Sequence, residues 1–390
     1  MLIVLQVVAI IVLVLIVLAL SARWILPPMA EKRMNRVELA PPYPVSAQAQ
    51  VLHQRLFIAD LHADSLLWNR DLLKRESFGH VDLPRLQQAN VALQVFASVT
   101  RVPLGLNFER NVPKRDLITL LALAQAWHPR TWRSLLQRAL YASEKLHRFA
   151  ARSNGQIMLI EHARDLDELV TRRQSDPKVI GALLSLEGVH ALEGRLENLD
   201  VLYDAGFRMI GLHHFFDNPA GGSAHGVERG GLTKFGRALV QRIQQKKMVL
   251  DLAHSSSPVV ADALALALAP VFVSHVGLRG TADNQRNLSD EQARGVAATG
   301  GVMGIALFEH AVGGKTLDDT ARAMRYGADL VGADHIGIGS DFDGALATAT
   351  DVTGIPLLTE RLMRHGFTEN EIEKIMGGNV LRVLKQILPS

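Results

Sequence analysis

The segment FIADLHADSLLW, residues 57–68, puts polar side chains at the end of a run that suits a protein core. Its short apolar start leads into Asp60, His62 and Asp64. In an extended segment, residues i and i+2 point to the same side, so His62 and Asp64 can face one ion together. The segment therefore predicts a buried strand whose C-terminal end carries polar residues with a chemical role.

Eight short apolar runs, the first of which overlaps this segment, alternate with amphipathic stretches along the chain. They are LFIADLH (56–62), VALQVFASV (91–99), VIGALLSLEG (179–188), FRMIGLHHF (207–215), MVLDLAHSS (248–256), PVFVSH (270–275), GGVMGIAL (300–307) and HIGIGSDFDG (335–344). Runs this apolar suit strands that are covered on both faces, as in parallel sheets. The alternation of strand and helix predicts an α/β fold, a (β/α)8 TIM-type barrel, with a doubly wound sheet as the alternative.

The N-terminal segment MLIVLQVVAIIVLVLIVLAL has one polar residue, Gln6, and no charged residue. At about 1.5 Å per residue it is long enough to cross a bilayer core. A cleaved signal peptide is the alternative, but the length and the missing basic start favour an anchor. We therefore expect a single transmembrane helix at residues 1–22 and a place in the bacterial inner membrane, with the side of the catalytic domain left open.

The rest of the chain divides into a linker and one large domain. The segment ILPPMAEKRMNRVELAPPYPVS lies within residues 23–50 and predicts a Pro-rich stalk. Residues 51–390 then form the barrel, since this fold takes about 250 residues and more with insertions. Two helical patterns in residues 101–155 predict an insertion, which is either a wall of the pocket or a pair of ordinary outer helices.

Composition excludes several classes of site and partner. The 390 residues include no cysteine, so disulfides and thiolate metal sites are excluded and any metal must be held by His, Asp and Glu. The net charge of +3 is small, and acids and bases are interspersed. Because no basic stripe marks a nucleic-acid binder, we expect no nucleic-acid partner. The oligomeric state, a homodimer included, is left open.

Polar residues stand at six of the eight predicted strand ends. They are His62, Asp64, Glu187, His213, His214, His254, His275, Asp341 and Asp343. In a barrel, the C-terminal ends of the strands share one mouth, where such enzymes carry out their chemistry. Imidazoles and carboxylates that converge there predict a site for Zn²⁺ or a similar divalent ion. Five other histidines fit no ligand position and are expected to be structural or surface residues: His190, His225, His310, His335 and His365.

Several motifs in order resemble one known family. DLHADS, LEGVHAL, DLAHSS, FVSHVGLRG, RNLSDE and GIGSDFDG together resemble the membrane dipeptidases, also called renal dipeptidases, of the amidohydrolase superfamily. The resemblance runs from about residue 56 to the C-terminus and leaves out the predicted anchor and stalk. It implies a (β/α)8 barrel with two zinc ions per chain.

The resemblance also implies a role for each matching residue. His62 and Asp64 would bind one zinc ion, His254 and His275 the other, and Glu187 would bridge both. His214 would contact the substrate carbonyl, Arg286 would hold the substrate's terminal carboxylate, and Asp341 would be the catalytic aspartate. The segment HHFFDNPAGGSAHG departs from the commoner family pattern, which leaves the substrate range open.

The expected function is hydrolysis of dipeptides that have a free C-terminal carboxylate, by a water that two zinc ions activate. One alternative is a related amidohydrolase that acts on N-acyl amino acids or other small amides. Another is a non-catalytic, membrane-bound binding protein. The complete set of ligand positions disfavours the binding protein, and Arg286 favours dipeptides over cyclic amides, which need not present a carboxylate.

Overall fold

The structure, a computed structural model, describes residues 1–113 and 116–390, without the side chains of residues 2, 3, 12 and 14–24. Its sheet consists of parallel strands only. In chain order they are β1 (Ile58–Ala63), β2 (Val91–Val99), β3 (Ile157–Leu159), β4 (Ile180–Glu187), β5 (Phe207–Gly211), β6 (Val249–Asp251), β7 (Phe272–Val276), β8 (Val302–Ile305) and β9 (Ile336–Ile338).

Eight of these strands close into a barrel in the order β1-β2-β4-β5-β6-β7-β8-β9, because β1 pairs with both β2 and β9. Each corresponds to one of the eight apolar runs, so the predicted barrel is confirmed and the doubly wound sheet is excluded. Strand β3 lies outside the ring and pairs with Ile180–Ala182 at the start of β4. Strand β5 pairs with β4 from Leu184 to Glu187. The sequence analysis missed β3 because three residues are too few to show a period.

Helices surround the barrel and connect its strands. They are α1 (Leu2–Met34), α2 (Ala47–Arg55), α3 (Leu83–Gln88), α4 (Leu117–Ala124), α5 (Leu135–Arg152), α6 (Ala163–Ser175), α7 (Asn198–Asp204), α8 (Lys234–Gln245), α9 (Ser257–Leu266), α10 (Asp290–Ala298), α11 (Glu309–Val312), α12 (Leu317–Val331), α13 (Ile355–Arg364), α14 (Glu369–Glu373) and α15 (Asn379–Ile387). Side-chain caps define several starts: Ser256, Ser289 and Thr316 accept backbone N–H groups of α9, α10 and α12.

The strands are buried on both faces, as the apolar runs predicted. One large apolar cluster joins most strands to the surrounding helices, and a second joins Leu61, Leu183 and Phe272 to α6 and α15. Buried area of this kind is the main favourable contribution to folding. The barrel is therefore a packed scaffold that can hold polar residues at its strand ends in fixed positions.

The predicted anchor falls within α1. Among the residues that the structure describes, no helix combines the length and the apolar character needed to cross a membrane. The side chains of residues 2, 3, 12 and 14–22, more than half of the predicted anchor, lie outside the described part of the chain. The anchor at residues 1–22 therefore stays a prediction.

The predicted stalk differs from an extended linker. Helix α1 continues through Pro27 and Pro28 and ends at Met34. Its buried Glu31 pairs with Arg70 at 2.5 Å, and burial raises the pKa of Glu31 to about 7 although Arg70 opposes the rise. Residues 36–39 then exchange backbone hydrogen bonds with residues 348–349 beside the barrel mouth. These contacts hold residues 31–39 against the barrel mouth, and the Pro-rich composition of the segment does not predict them.

The two helices of the predicted insertion at residues 101–155 have different surroundings. Helix α4 packs against α1 and lines the cavity at the barrel mouth. Helix α5 packs on the outside of the barrel against β2 and β3. Helix α4 thus forms a pocket wall, and helix α5 is an outer helix. These are the two arrangements that the sequence left open.

Candidate active site

Strand ends bring the five predicted metal ligands together. The Oε1 atom of Glu187, the last residue of β4, lies 3.0 Å from Nε2 of His254 and 3.4 Å from Nε2 of His275. Nε2 of His62 lies 3.7 Å from the same oxygen and 3.5 Å from Oδ1 of Asp64. The carboxylate of Glu187 is therefore close to both the His62–Asp64 pair and the histidine pair.

The donor atoms form three overlapping groups, each with all its ligand atoms within 4.8 Å of one another. The groups are His62, Glu187 and His275; Glu187, His214 and His254; and His62, Asp64 and Asp341. Glu187 belongs to two of them, which suits one carboxylate shared by two adjacent cations. The groups also include His214 and Asp341, for which the resemblance implies roles toward the substrate.

Unpaired polar atoms show that these residues fit a metal. Both ring nitrogens of His62, Oδ1 of Asp64 and Oε2 of Glu187 are buried without a hydrogen-bond partner in the described part of the chain. Such an atom costs about 1–3 kcal/mol when nothing satisfies it. Coordination to a divalent cation would satisfy the two carboxylate oxygens and one ring nitrogen of His62, and these nitrogen and oxygen donors are those that Zn²⁺ accepts.

The electrostatics of the site favour added positive charge. Burial raises the pKa of Glu187 well above its usual value, and the like charge of Asp64 raises it further. Burial lowers the pKa of His62, but the carboxylates of Glu187 and Asp64 outweigh it and raise that pKa to about 10. Carboxylates crowded in a buried place repel one another, and a bound cation relieves this repulsion.

A chain of hydrogen bonds orients His254. His225 Nδ1 lies 2.7 Å from the carbonyl oxygen of Phe108, so this nitrogen carries the proton. His225 Nε2 then accepts from Nδ1 of His254 at 3.1 Å, which leaves Nε2 of His254 as a bare lone pair. The sequence analysis placed His225 among structural or surface residues, and a histidine that supports another across 29 positions has no local pattern by which it could be found.

His275 is oriented in a similar way. The Ser274 hydroxyl donates to Oδ2 of Asp251 at 2.6 Å and lies 2.9 Å from Nδ1 of His275, from which it accepts. Nε2 of His275 is then also a bare lone pair, 2.8 Å from Nε2 of His254. Two lone pairs this close repel each other, so the arrangement fits a cation between them.

His225→Phe is expected to weaken metal binding about 10–100-fold, because it removes the group that fixes the tautomer and direction of His254. Metal affinity measured by competition with a chromophoric chelator would check this. His335→Phe is the matched control, since His335 also contacts a backbone carbonyl, that of Gly301, but away from the strand-end ligands. Equal affinities for both variants would contradict a positioning role for His225.

His213 and His214 are adjacent in sequence, but their side chains contact different groups. Nε2 of His214 lies 3.4 Å from Oε2 of Glu187 and faces the site. Nδ1 of His213 instead contacts the hydroxyl of Ser255 at 3.1 Å. Of the two, only His214 therefore faces the candidate site.

Asp341 and Asp343 are separated in the same way. Oδ1 of Asp341 lies 3.9 Å from Nε2 of His62, and burial raises the pKa of Asp341 to about 7. Asp343 is instead held by Arg70 and by the hydroxyl of Ser65. Both aspartates have a φ of 62°, in the left-handed region that costs a non-glycine residue about 1–3 kcal/mol and is concentrated at functional sites.

Arg286 lies in the loop after β7 and is buried. Its Nη2 donates to the carbonyl oxygen of His275 at 2.5 Å, while Nε and Nη1 have no partner among the described residues. Burial lowers its pKa, as expected for a cation withdrawn from water. Buried guanidinium N–H groups without a partner can donate to an anionic ligand such as a carboxylate.

These residues open into one cavity of about 330 Å³ at the barrel mouth. Asp64, His214, His254, Arg286 and Asp341 line it. Such a volume suits a small molecule, for which pockets usually measure about 300–1,000 Å³. The cavity therefore places a candidate carboxylate site and a candidate metal site in contact with the same ligand.

Sequence comparison identifies relatives of known type. The family described as membrane dipeptidase (peptidase family M19) matches residues 46–388. Dipeptidase verJ of Clonostachys rogersoniana is 33% identical over 215 residues, 53% of this chain and 55% of verJ. Dipeptidase 3 of Rattus norvegicus is 30% identical over 247 residues, 56% of this chain and 48% of its own. The chain thus aligns with about half the length of these curated relatives.

Solved structures share the fold. The probable dipeptidase PvdM from Pseudomonas aeruginosa superposes with a TM-score of 0.72 at 19% identity, over 87% of this chain and 97% of PvdM. A metallo peptidase from Rhodobacter sphaeroides, liganded with a phosphinate mimic of the dipeptide L-Ala-D-Ala, gives 0.69 at 23% identity, over 85% of this chain and 99% of its own. At these identities the likeness concerns the barrel alone.

Proposed function

This chain belongs to the membrane dipeptidase family, peptidase family M19, a family of metal-dependent hydrolases, and we propose that it cleaves dipeptides with a free C-terminal carboxylate. One arrangement carries the proposal. Glu187 is shared by two groups of potential metal ligands, in a site whose cavity is also lined by Arg286, whose Nε and Nη1 have no partner among the described residues. A hydrolytic centre and an anion site that meet in one small cavity suit a short substrate with a terminal carboxylate.

We propose two Zn²⁺ ions as the cofactor. His62 and Asp64 would hold one, His254 and His275 the other, and Glu187 both, because its Oε1 atom lies within 3.7 Å of Nε2 of His62, His254 and His275. Nitrogen and oxygen donors without thiolates are consistent with zinc. Such ions, when bound, supply a nucleophilic water at neutral pH and polarise the scissile carbonyl.

The protein's own side chains then divide the remaining work. Arg286 binds the carboxylate and so fixes the position of the scissile bond. His214 stabilises the negative charge that develops on the carbonyl oxygen. Asp341 accepts a proton from the attacking water and returns it to the leaving amine, as a general base and then a general acid.

A second candidate is an amidohydrolase that acts on N-acyl amino acids or other small amides, which the apolar part of the cavity lining favours. A non-catalytic binding protein has less support, since it would have no use for a complete ligand set beside Asp341. We retain as a further proposal a single-pass anchor at residues 1–22 in the bacterial inner membrane, on the strength of its apolar sequence.

C-terminal amidation of the substrate tests the function. Wild-type protein is expected to cleave a dipeptide about 100-fold faster, in kcat/KM, than the same dipeptide amide, because hydrogen bonds from Arg286 to a charged group contribute about 1.5–3 kcal/mol each. Arg286→Met is expected to reduce this ratio to about threefold or less, with a raised KM for the free dipeptide.

Arg279→Met is the matched control, because Arg279 lies in the same loop and contacts the backbone oxygen of Asn287. This variant should keep the wild-type ratio of kcat/KM between the free dipeptide and the dipeptide amide. If wild type cleaves dipeptide amides as readily as free dipeptides, Arg286 does not bind the carboxylate, and an amide hydrolase of another type becomes the better description.

A further inference from the structure

One wall of the catalytic cavity is apolar, and the proposed hydrolysis makes no use of it. Two helices form this wall, which we call the helical wall. Its members are Leu26, Ala30 and Met34 of α1 and Leu117, Leu121 and Ala124 of α4. The wall depends on α1, a segment that the family match, which begins at residue 46, does not include.

Buried contacts attach α1 to the catalytic loop. Arg70 pairs with Glu31 of α1 and with Asp343, two residues beyond Asp341. The backbone N–H of Ala345 donates to Oδ1 of Asn35, directly after the helix. Helix α1 is therefore part of the pocket, with a fixed position relative to the catalytic residues.

The helical wall lies on a different side of the cavity from Arg286. Helix α4 follows β2, and α1 is attached to the loop after β9, so the wall lies above the adjoining strands β9, β1 and β2. Arg286 follows β7, which is separated from β9 by β8. A dipeptide whose carboxylate binds Arg286 would therefore extend its amino-side residue toward the helical wall.

The cavity is also open beside the helical wall. Leu26 of the wall and two further leucines, Leu106 and Leu120, line the cavity and are still 57%, 41% and 52% exposed. A closed pocket would limit the group on the amino-side residue to the size of an ordinary side chain. An open apolar edge lets a longer chain continue along the surface, and exposed apolar patches beside a groove mark binding sites.

We propose that the helical wall is a subsite for a hydrocarbon chain, so that the preferred substrates are amphiphilic dipeptides with a long alkyl group on the amino-side residue. This inference rests on the proposed dipeptidase function and deepens it. Each methylene buried against the wall should raise kcat/KM by about threefold, close to the transfer free energy of a CH₂ group.

The test uses the full chain in nanodiscs and a substrate series X-Ala, in which X is alanine, norleucine or 2-aminooctanoic acid. We expect kcat/KM to rise about 200-fold from alanine to 2-aminooctanoic acid, whose side chain has about five more methylenes. Ala30→Phe and Ala124→Phe fill the subsite. Each should lower kcat/KM for the 2-aminooctanoyl substrate at least about 10-fold more than kcat/KM for Ala-Ala.

Two neighbouring positions provide matched controls, Met29→Phe and Leu123→Phe, since both side chains are exposed and neither lines the cavity. These two variants should keep the wild-type preference for the 2-aminooctanoyl substrate over Ala-Ala. If wild type cleaves Ala-Ala without any gain along the series, or if the control variants act like the filling variants, the subsite is refuted while the dipeptidase function stands. If no member of the series is cleaved by metal-loaded protein, the proposed function fails and the subsite with it.

Discussion

Glu187→Gln is expected to remove most of the bound metal and to lower kcat/KM for a dipeptide by about 10³-fold or more, since metal catalysis contributes several kcal/mol to the transition state. The reason is the position of Glu187. Its carboxylate is the one that two ligand groups share, and Oε1 alone lies within 3.7 Å of His62, His254 and His275. An amide keeps the shape of the side chain but removes the negative charge that a pair of cations needs between them.

Metal content per chain, measured by mass spectrometry on protein loaded with zinc, checks this prediction together with the dipeptide assay. We expect close to two ions in wild type and one or fewer in Glu187→Gln. The exposed Glu197→Gln serves as the control for a charge change on the same side of the barrel. A Glu187→Gln protein that retains two ions and wild-type activity would show that Glu187 is not a shared ligand.

Asp341→Asn is expected to lower kcat by about 10²–10⁴-fold, the usual contribution of a positioned general acid–base, while the bound metal is retained. Asp341 is buried, and its Oδ1 lies 3.9 Å from Nε2 of His62. Asparagine can occupy the same space but can neither accept the proton of the attacking water nor return it. The comparison with Glu187→Gln is informative because only the latter should lose metal.

One result would contradict the role of Asp341 as a general acid–base. Asp341 also belongs to a potential ligand group with His62 and Asp64. If Asp341→Asn loses metal in parallel with activity, the residue is a ligand rather than the proton carrier. Glu309→Gln, at an exposed position on the rim of a neighbouring cleft, should leave both kcat and metal content unchanged.

The barrel was predictable because its signal is local. A strand covered on both faces must be apolar along its length, so each of the eight strands leaves a short apolar run that is readable without any partner. The polar residues at their ends were predictable for a related reason. Parallel strands end at one edge, and His62, Glu187 and His275 therefore share a mouth whatever the details of packing.

The composition of the pocket was less predictable. Residues 1–22 were expected to form an anchor and residues 23–50 a stalk, yet Leu26, Ala30 and Met34 line the cavity and Glu31 pairs with Arg70. His225 was expected to be structural or at the surface, yet it orients His254. In both cases the decisive contact joins segments that are distant in sequence. The sequence of one segment alone does not predict its contact with the other.

By itself, the sequence determined the eight-stranded barrel, the metal-binding character of its mouth and, through its motifs, the family, because each follows from local patterns of polarity and residue type. The tertiary structure decided which member of each close pair faces the site, His214 rather than His213 and Asp341 rather than Asp343. It also decided that α1 forms a wall of the pocket. The physical reason is that side-chain direction at a strand end depends on the turn that follows, here with φ values near 60° for Asp341 and Asp343, and on contacts such as that between Arg70 and Asp343 across 273 positions. The local periodicity of the sequence predicts neither the turn nor the long-range contact.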